Sequence, residues 1–200
     1  MKTLNCLFLI LFLTSLLQAQ KVQEIFYHTI EISKAIGDLN HDNLEDSVMV
    51  IQDTIAENQA YKLQIYFAHP NGNYTLYLET SNPLLANYPQ EKNEYDNNPQ
   101  FSQIYIHEGN LYVSHKQPRG HFEHYFRFQN EAFFLVGFNK EVNDSLGILT
   151  KSYFNLLKGE FTVQKERFST GEIIHSEKEY RLINPLPKLQ DFKPLSKEFF

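Results

Sequence analysis

Apolar and polar residues alternate with a period of two along much of this chain. Tyr61, Leu63, Ile65 and Phe67 alternate with Lys62, Gln64, Tyr66 and Ala68; Asn71-Gly72 then supplies turn residues, and Tyr74, Leu76 and Leu78 resume the alternation. Successive side chains of a strand point to opposite faces, so the pattern predicts two half-buried strands joined as a hairpin. The same reading predicts strands over 47–51, 102–107, 111–115, 122–129, 132–138, 149–157, 161–168 and 172–180. Turn chemistry punctuates them at Glu108-Gly109-Asn110, Gln129-Asn130, Lys158-Gly159 and Thr170-Gly171. Phe133, Phe134, Leu135, Val136 and Phe138 are apolar on both faces of their strand, which predicts a central position in the sheet.

Short strands joined by short turns predict a mainly β fold with little helix. The expected form is an antiparallel meander in a single domain, as a curled sheet, a sandwich or a barrel-like closure. Composition agrees: the 17 Phe and 12 Tyr, with no Trp, are residues that fit pleated surfaces. Between 81 and 100 the alternation dissolves into Asn, Pro, Glu, Lys and Asp, and Pro83, Pro89 and Pro99 bar a regular strand interior, so a long surface loop is expected. The tail from 185 to 200 carries Pro187 and Pro194 and is expected to pack its Leu and Phe residues across an open end of the sheet.

The first nineteen residues read differently. Lys2 precedes an apolar run from Leu4 to Leu17, and Ala19 offers a small residue for cleavage, the form of a secretory signal peptide. The apolar run is short for a bilayer span, so no membrane span is expected after cleavage. Residues 20–200 would then be a single β-rich domain, exported to a periplasm or to the outside. Cys6, the only cysteine, would leave with residues 1–19, and stability would come without disulfides. Of 18 Lys and Arg, Lys2 is lost as well, leaving 17 against 24 Asp and Glu, a net charge of −7. That balance disfavours nucleic acid or anionic lipid as partners.

Candidate chemistry is concentrated in nine residues, 38–46. Asp38, Asn40, Asp42 and Asp46 place side-chain oxygens at relative positions one, three, five and nine, and Leu44 would add its backbone carbonyl at position seven. A hard cation such as Ca2+ takes six to eight oxygens, which a tight loop supplies when alternate residues point inward. Position six must turn sharply, and Asn43 tolerates the left-handed conformation there better than any residue except Gly. Three aspartates drawn together would repel without a cation. Glu45 is expected to point outward and His41 to be solvated. Ordinary Asx turns without metal are the alternative.

Position twelve is Met49 rather than an acidic residue, and Ser47 begins an apolar run with the alternation of a strand, so the loop is not an EF-hand. Gly37-Asp-Leu-Asn-His-Asp-Asn-Leu-Glu-Asp46 followed by a β run resembles instead the calcium loop of FG-GAP or VCBS-type repeats. Those families repeat the loop to build propeller blades, whereas a single copy stands here, so a propeller is not implied. The stretches Tyr125 to Asn130, Phe133 to Gly137 and Ser152 to Gly159 are also similar to a group of uncharacterised exported bacterial proteins with one such loop near the N-terminus. The resemblance implies a calcium site at 38–46 and supplies no activity.

Other constellations carry less. His115, His121 and His124 invite a zinc reading, but alternation sends His121 and Glu123 to one face and His124, with Phe122 and Phe126, to the other. There is no Gly-x-Ser-x-Gly elbow, no His-Glu-x-x-His and no phosphate-cradling Gly-rich loop. Tyr66, Tyr77 and Tyr112 are candidates for an outward recognition surface. The sequence therefore predicts an exported, non-catalytic, calcium-stabilised β-rich binding or structural module with a protein or glycan ligand. The alternatives are a cell-envelope hydrolase or carbohydrate-processing enzyme, and a small-ligand carrier with an aromatic-lined barrel interior.

Overall fold

A computed structural model of the chain describes residues 29–55, 60–85 and 99–194. The expected leader at 1–19 lies outside the described residues, as do 86–98 of the expected loop and the last six residues of the tail. Among the described residues there are eleven strands and no helix. They form two antiparallel sheets.

The first sheet is a plain meander of β1 (Thr29–Gly37), β2 (Asp46–Asp53), β3 (Tyr61–Ala68) and β4 (Tyr74–Thr80). The second contains β5 (Gln100–His107), β6 (Asn110–Gln117), β7 (Gly120–Gln129), β8 (Ala132–Asn143), β9 (Ile148–Asn155), β10 (Glu160–Arg167) and β11 (Ile173–Tyr180), each paired with its neighbours in sequence. Short turns enforce this order. Glu108 and Gly109, and again Asn130 and Glu131, take positive φ at both central positions, the primed geometry whose twist matches that of the strands it joins. The predicted strand cores hold, with ends shifted by a few residues. The expected centrality of residues 132–138 is met too, since β8 is the middle strand of the seven.

The core lies between the four-stranded sheet and the β5–β8 part of the larger one. Val48 and Val50 of β2 and Leu63 and Ile65 of β3 meet Leu111, Val113, Phe122, Phe126, Leu135 and Phe138, all buried. β2 shows the simplest alternation: Asp46, Val48 and Val50 are buried, while Ser47 and Met49 are half-buried on the other face. β8 departs from strict alternation because the register slips opposite Tyr125 and Phe126, which pair with Gly137 and Leu135. The bulge at Val136 turns both Leu135 and Phe138 inward, the physical origin of the unbroken apolar run.

The two sheets do not close into a barrel. Along one side β1 lies beside β5, where the Ile104 N–H donates to Ser33 Oγ at 3.1 Å and Gly37 leaves room for Ile106. On the other side Phe67 and Tyr77 pack with Phe128 and Phe133. The tail acts as expected over its described part. β9 pairs with β8 only from Gly137 onward, and residues 187–189 take the open edge of β8: the Leu135 N–H donates to the Pro187 carbonyl and the Leu189 N–H to that of Phe133. Leu189 and Phe192 are buried there. The wing of β9, β10 and β11 extends beyond the core, and β11 is exposed along its whole length.

Candidate functional site

The segment 38–46 is the turn between β1 and β2, which pair in register up to Gly37 opposite Asp46. Asp38 organises it. Its Oδ1 accepts the N–H of His41 at 2.7 Å and of Asp42 at 3.2 Å, and its Oδ2 accepts that of Asn43 at 3.0 Å. Asn40 Oδ1 accepts the Asp42 N–H, and Asp42 Oδ1 accepts the Leu44 N–H at 2.8 Å. The side-chain amide of Asn40 also donates to Asp42 Oδ2. Four consecutive backbone donors, 41 to 44, are thereby turned toward the side-chain oxygens of positions one, three and five. Such wrapping needs left-handed residues, and His41 (φ 63°) and Asn43 (φ 65°) provide them.

Asp46 plays a different part. It is wholly buried, and its Oδ2 accepts the Leu39 N–H at 2.9 Å while its Oδ1 accepts the Ala68 N–H at 3.0 Å. One carboxylate thus ties the start of the loop to the end of β3. Leu39 is buried beside it as an apolar plug, which fixes the loop to the core. Tyr74 of β4 adds a third tie by donating its hydroxyl to the Glu45 carbonyl at 3.1 Å.

All five expected ligand positions therefore share one loop. Among the described residues, however, no three Asp, Glu, His or Cys side chains stand close enough together to form a ready cage for a metal. The oxygens instead face the loop's own N–H groups, whose dipoles balance the charge of Asp38 and Asp42. The donor set still suits a hard cation. It is all oxygen, and although Asp38 Oδ1 accepts two N–H groups, Asp38 Oδ2 and Asp42 Oδ1 accept one each and keep a second lone pair.

Several features were not foreseen. His41, expected to be solvated, is exposed, yet its ring lies over Gly109, where a Cβ would come within 2.5 Å of the ring. His115 and His124 are buried on the inner face, whereas His121 is exposed, so the three do not converge. His115 stacks on Phe122 at 4.9 Å, and His124 lies against Phe138 and Phe192. Among the described residues neither ring nitrogen of His115 has a partner in hydrogen-bonding geometry. Burial pushes its pKa down to about 4, with the nearby Pro83 carbonyl opposing slightly.

The three tyrosines singled out in the sequence separate. Tyr66 faces outward from the small sheet, opposite Ser47 and Leu76. Tyr77 sits at a bulge of β4 and turns toward Phe67 and Phe133, donating its hydroxyl to the Glu131 carbonyl. Tyr112 belongs to a ladder: Tyr105, Tyr112, Tyr125 and Gly137 are directly opposed on adjacent strands, with ring centroids 4.6 and 4.9 Å apart. The Tyr125 ring lies over Gly137 so closely that a Cβ there would be 1.8 Å from it. Tyr105 donates to Glu123 at 2.7 Å, and burial followed by that carboxylate raises its pKa far above the ordinary range.

No family model, curated protein or solved structure matches this chain. The loop from Gly37 to Asp46 and the strand after it stand in a fold of two antiparallel meanders.

Proposed function

We propose that this chain is an exported β-rich module stabilised by one calcium ion, whose role is binding or structural rather than catalytic. The observation that carries the reading is the wrapped loop: Asp38, Asn40 and Asp42 draw the N–H groups of residues 41–44 around them, and two left-handed residues sustain the turn. In this reading Asp38, Asn40, Asp42 and Asp46 supply side-chain oxygen, and Leu44 supplies its carbonyl. The ion neutralises three aspartates and fixes the direction in which β2 leaves the loop. Because Asp46 and Leu39 anchor the loop in the core, ordering it stabilises the small sheet.

The test is a thermal melt with calcium and with chelator. For a dissociation constant near 0.1 mM, about 1 mM free calcium stabilises the fold by roughly 1.4 kcal/mol. In a domain of this size that corresponds to a rise in Tm of about 3–6 °C. Asp42→Ala, whose side chain lies at the exposed side of the loop, is expected to abolish the rise. Identical wild-type melts in calcium and in chelator would remove the ion from the account.

A further inference from the structure

The outer face of the small sheet carries a groove of about 610 Å³ that none of the preceding functional reading uses. An antiparallel sheet with one face on a core ordinarily shows polar residues to water on the other. Here Ile36, Met49, Ile51, Tyr66 and Tyr74 line the water side instead. Ile36 is 54% exposed and Tyr74 51% exposed, so the apolar lining is open to solvent. Its volume falls within the range of small-molecule sites, which are mostly apolar with a few placed polar groups.

The polar groups set a direction. Lys34 pairs across β1 and β2 with Met49, which faces Gln64 on β3; the neighbouring row is Ile36, Ser47 and Tyr66. Lys34 is the single cation of the lining and has no ion-pair partner among the described residues. Glu31 lies past a bulge of β1, opposite Ile51, and is the single anion. On the far side of Ile51 stands Lys62, already paired with Glu79 at 3.1 Å, so Lys34 is the cation left for an anionic head. A head held there, in the middle of the groove and away from Glu31, lets an attached apolar body lie over Ile36, Tyr66 and Tyr74. The Tyr74 ring is held in place by its hydroxyl bond to the Glu45 carbonyl.

From this arrangement we infer that the groove is a binding site for a small amphiphilic anion, an apolar ring or acyl body with one carboxylate-like head held by Lys34. The inference goes beyond the calcium reading and does not use the ion, so the test is run both in calcium and in chelator.

Two fluorescent probes with similar ring bodies separate the contributions: 8-anilinonaphthalene-1-sulfonate, an anion, and N-phenyl-1-naphthylamine, which is neutral. Wild type is expected to bind one equivalent of each. Met49→Glu, on the solvent side of β2, is expected to abolish both signals while the far-ultraviolet circular dichroism is unchanged; Ile36→Glu is the second variant should that one fail to fold. Lys34→Gln is expected to weaken the sulfonate by about 3- to 10-fold, the weight of one charge-assisted contact, and the neutral probe by less than twofold, with Lys34→Arg restoring the sulfonate. Probe binding that survives both glutamate variants would overturn the site. Equal loss of both probes in Lys34→Gln would overturn the anionic head. A dimer in sedimentation that dissociates in Met49→Glu, with no probe bound to wild type, would assign the groove to a second copy and overturn the inference as well.

Discussion

Replacing Asp46 in the presence of chelator measures what the loop contributes to the fold apart from any cation. Its two oxygens accept N–H groups from Leu39 and Ala68 at 2.9 and 3.0 Å, and the side chain has no contact with water. Hydrogen bonds to a charged acceptor contribute about 1.5–3 kcal/mol each, and removal of the acceptor leaves buried donors unsatisfied. Asp46→Ala is therefore expected to cost about 3–5 kcal/mol, and Asp46→Asn, which keeps one acceptor oxygen, about half that. The assay is urea unfolding in chelator, followed by tyrosine fluorescence because the chain has no Trp. Asp42→Ala in the same buffer should lose less than about 1 kcal/mol, since its oxygens serve an exposed turn. An Asp46→Ala protein as stable as wild type would refute the argument that this carboxylate ties the loop to β3.

Two further predictions follow from buried groups. His115 protonates near its ordinary 6.5 when unfolded but near 4 when folded, so the unfolded chain binds more protons between those values; stability is complete above about pH 6.5 and falls as pH drops toward 4, by up to about 3 kcal/mol. His115→Phe should flatten that part of the curve relative to wild type, measured by urea midpoints at pH 7, 5.5 and 4; parallel curves would contradict it. Gly137→Ala is expected to destabilise by about 1–3 kcal/mol because its Cβ would overlap the Tyr125 ring, and the cost should largely vanish in a Tyr125→Ser background, as a double-mutant cycle would show.

Most of the fold was legible because its physics is local. Alternation located every strand from β2 to β11 but assigned none to 29–37, where β1 runs, and Glu108-Gly109 and Asn130 marked the tight turns that force neighbours in sequence to be neighbours in the sheet. The slips came where a bulge resets the alternation: Tyr77 was expected to face outward and instead joins Phe67 and Phe133, because the register shifts between Ile65 and Tyr66. The division into two sheets was not legible either, since it depends on where β1 and β5 meet, a contact between residues 71 positions apart. At the loop, the positive φ of Asn43 was foreseen from its tolerance of the left-handed region. The second partner of Asp46, the Ala68 N–H, was not, because nothing in residues 38–46 encodes the end of β3. The facing of His124 was legible, since alternation places it with Phe122 and Phe126, but the complete burial of His115 and His124 was not, because a histidine at an inward position has the same sequence pattern as a polar one at a strand edge.

The most direct test of the calcium reading is a crystal structure of the protein grown with calcium, with the anomalous signal of the ion recorded. The account predicts one ion within residues 38–46, held by six to eight oxygens at about 2.3–2.6 Å, with Asp38, Asn40, Asp42, Asp46 and the Leu44 carbonyl among them. A loop with no ion, its side-chain oxygens still on the N–H groups of residues 41–44, would contradict it.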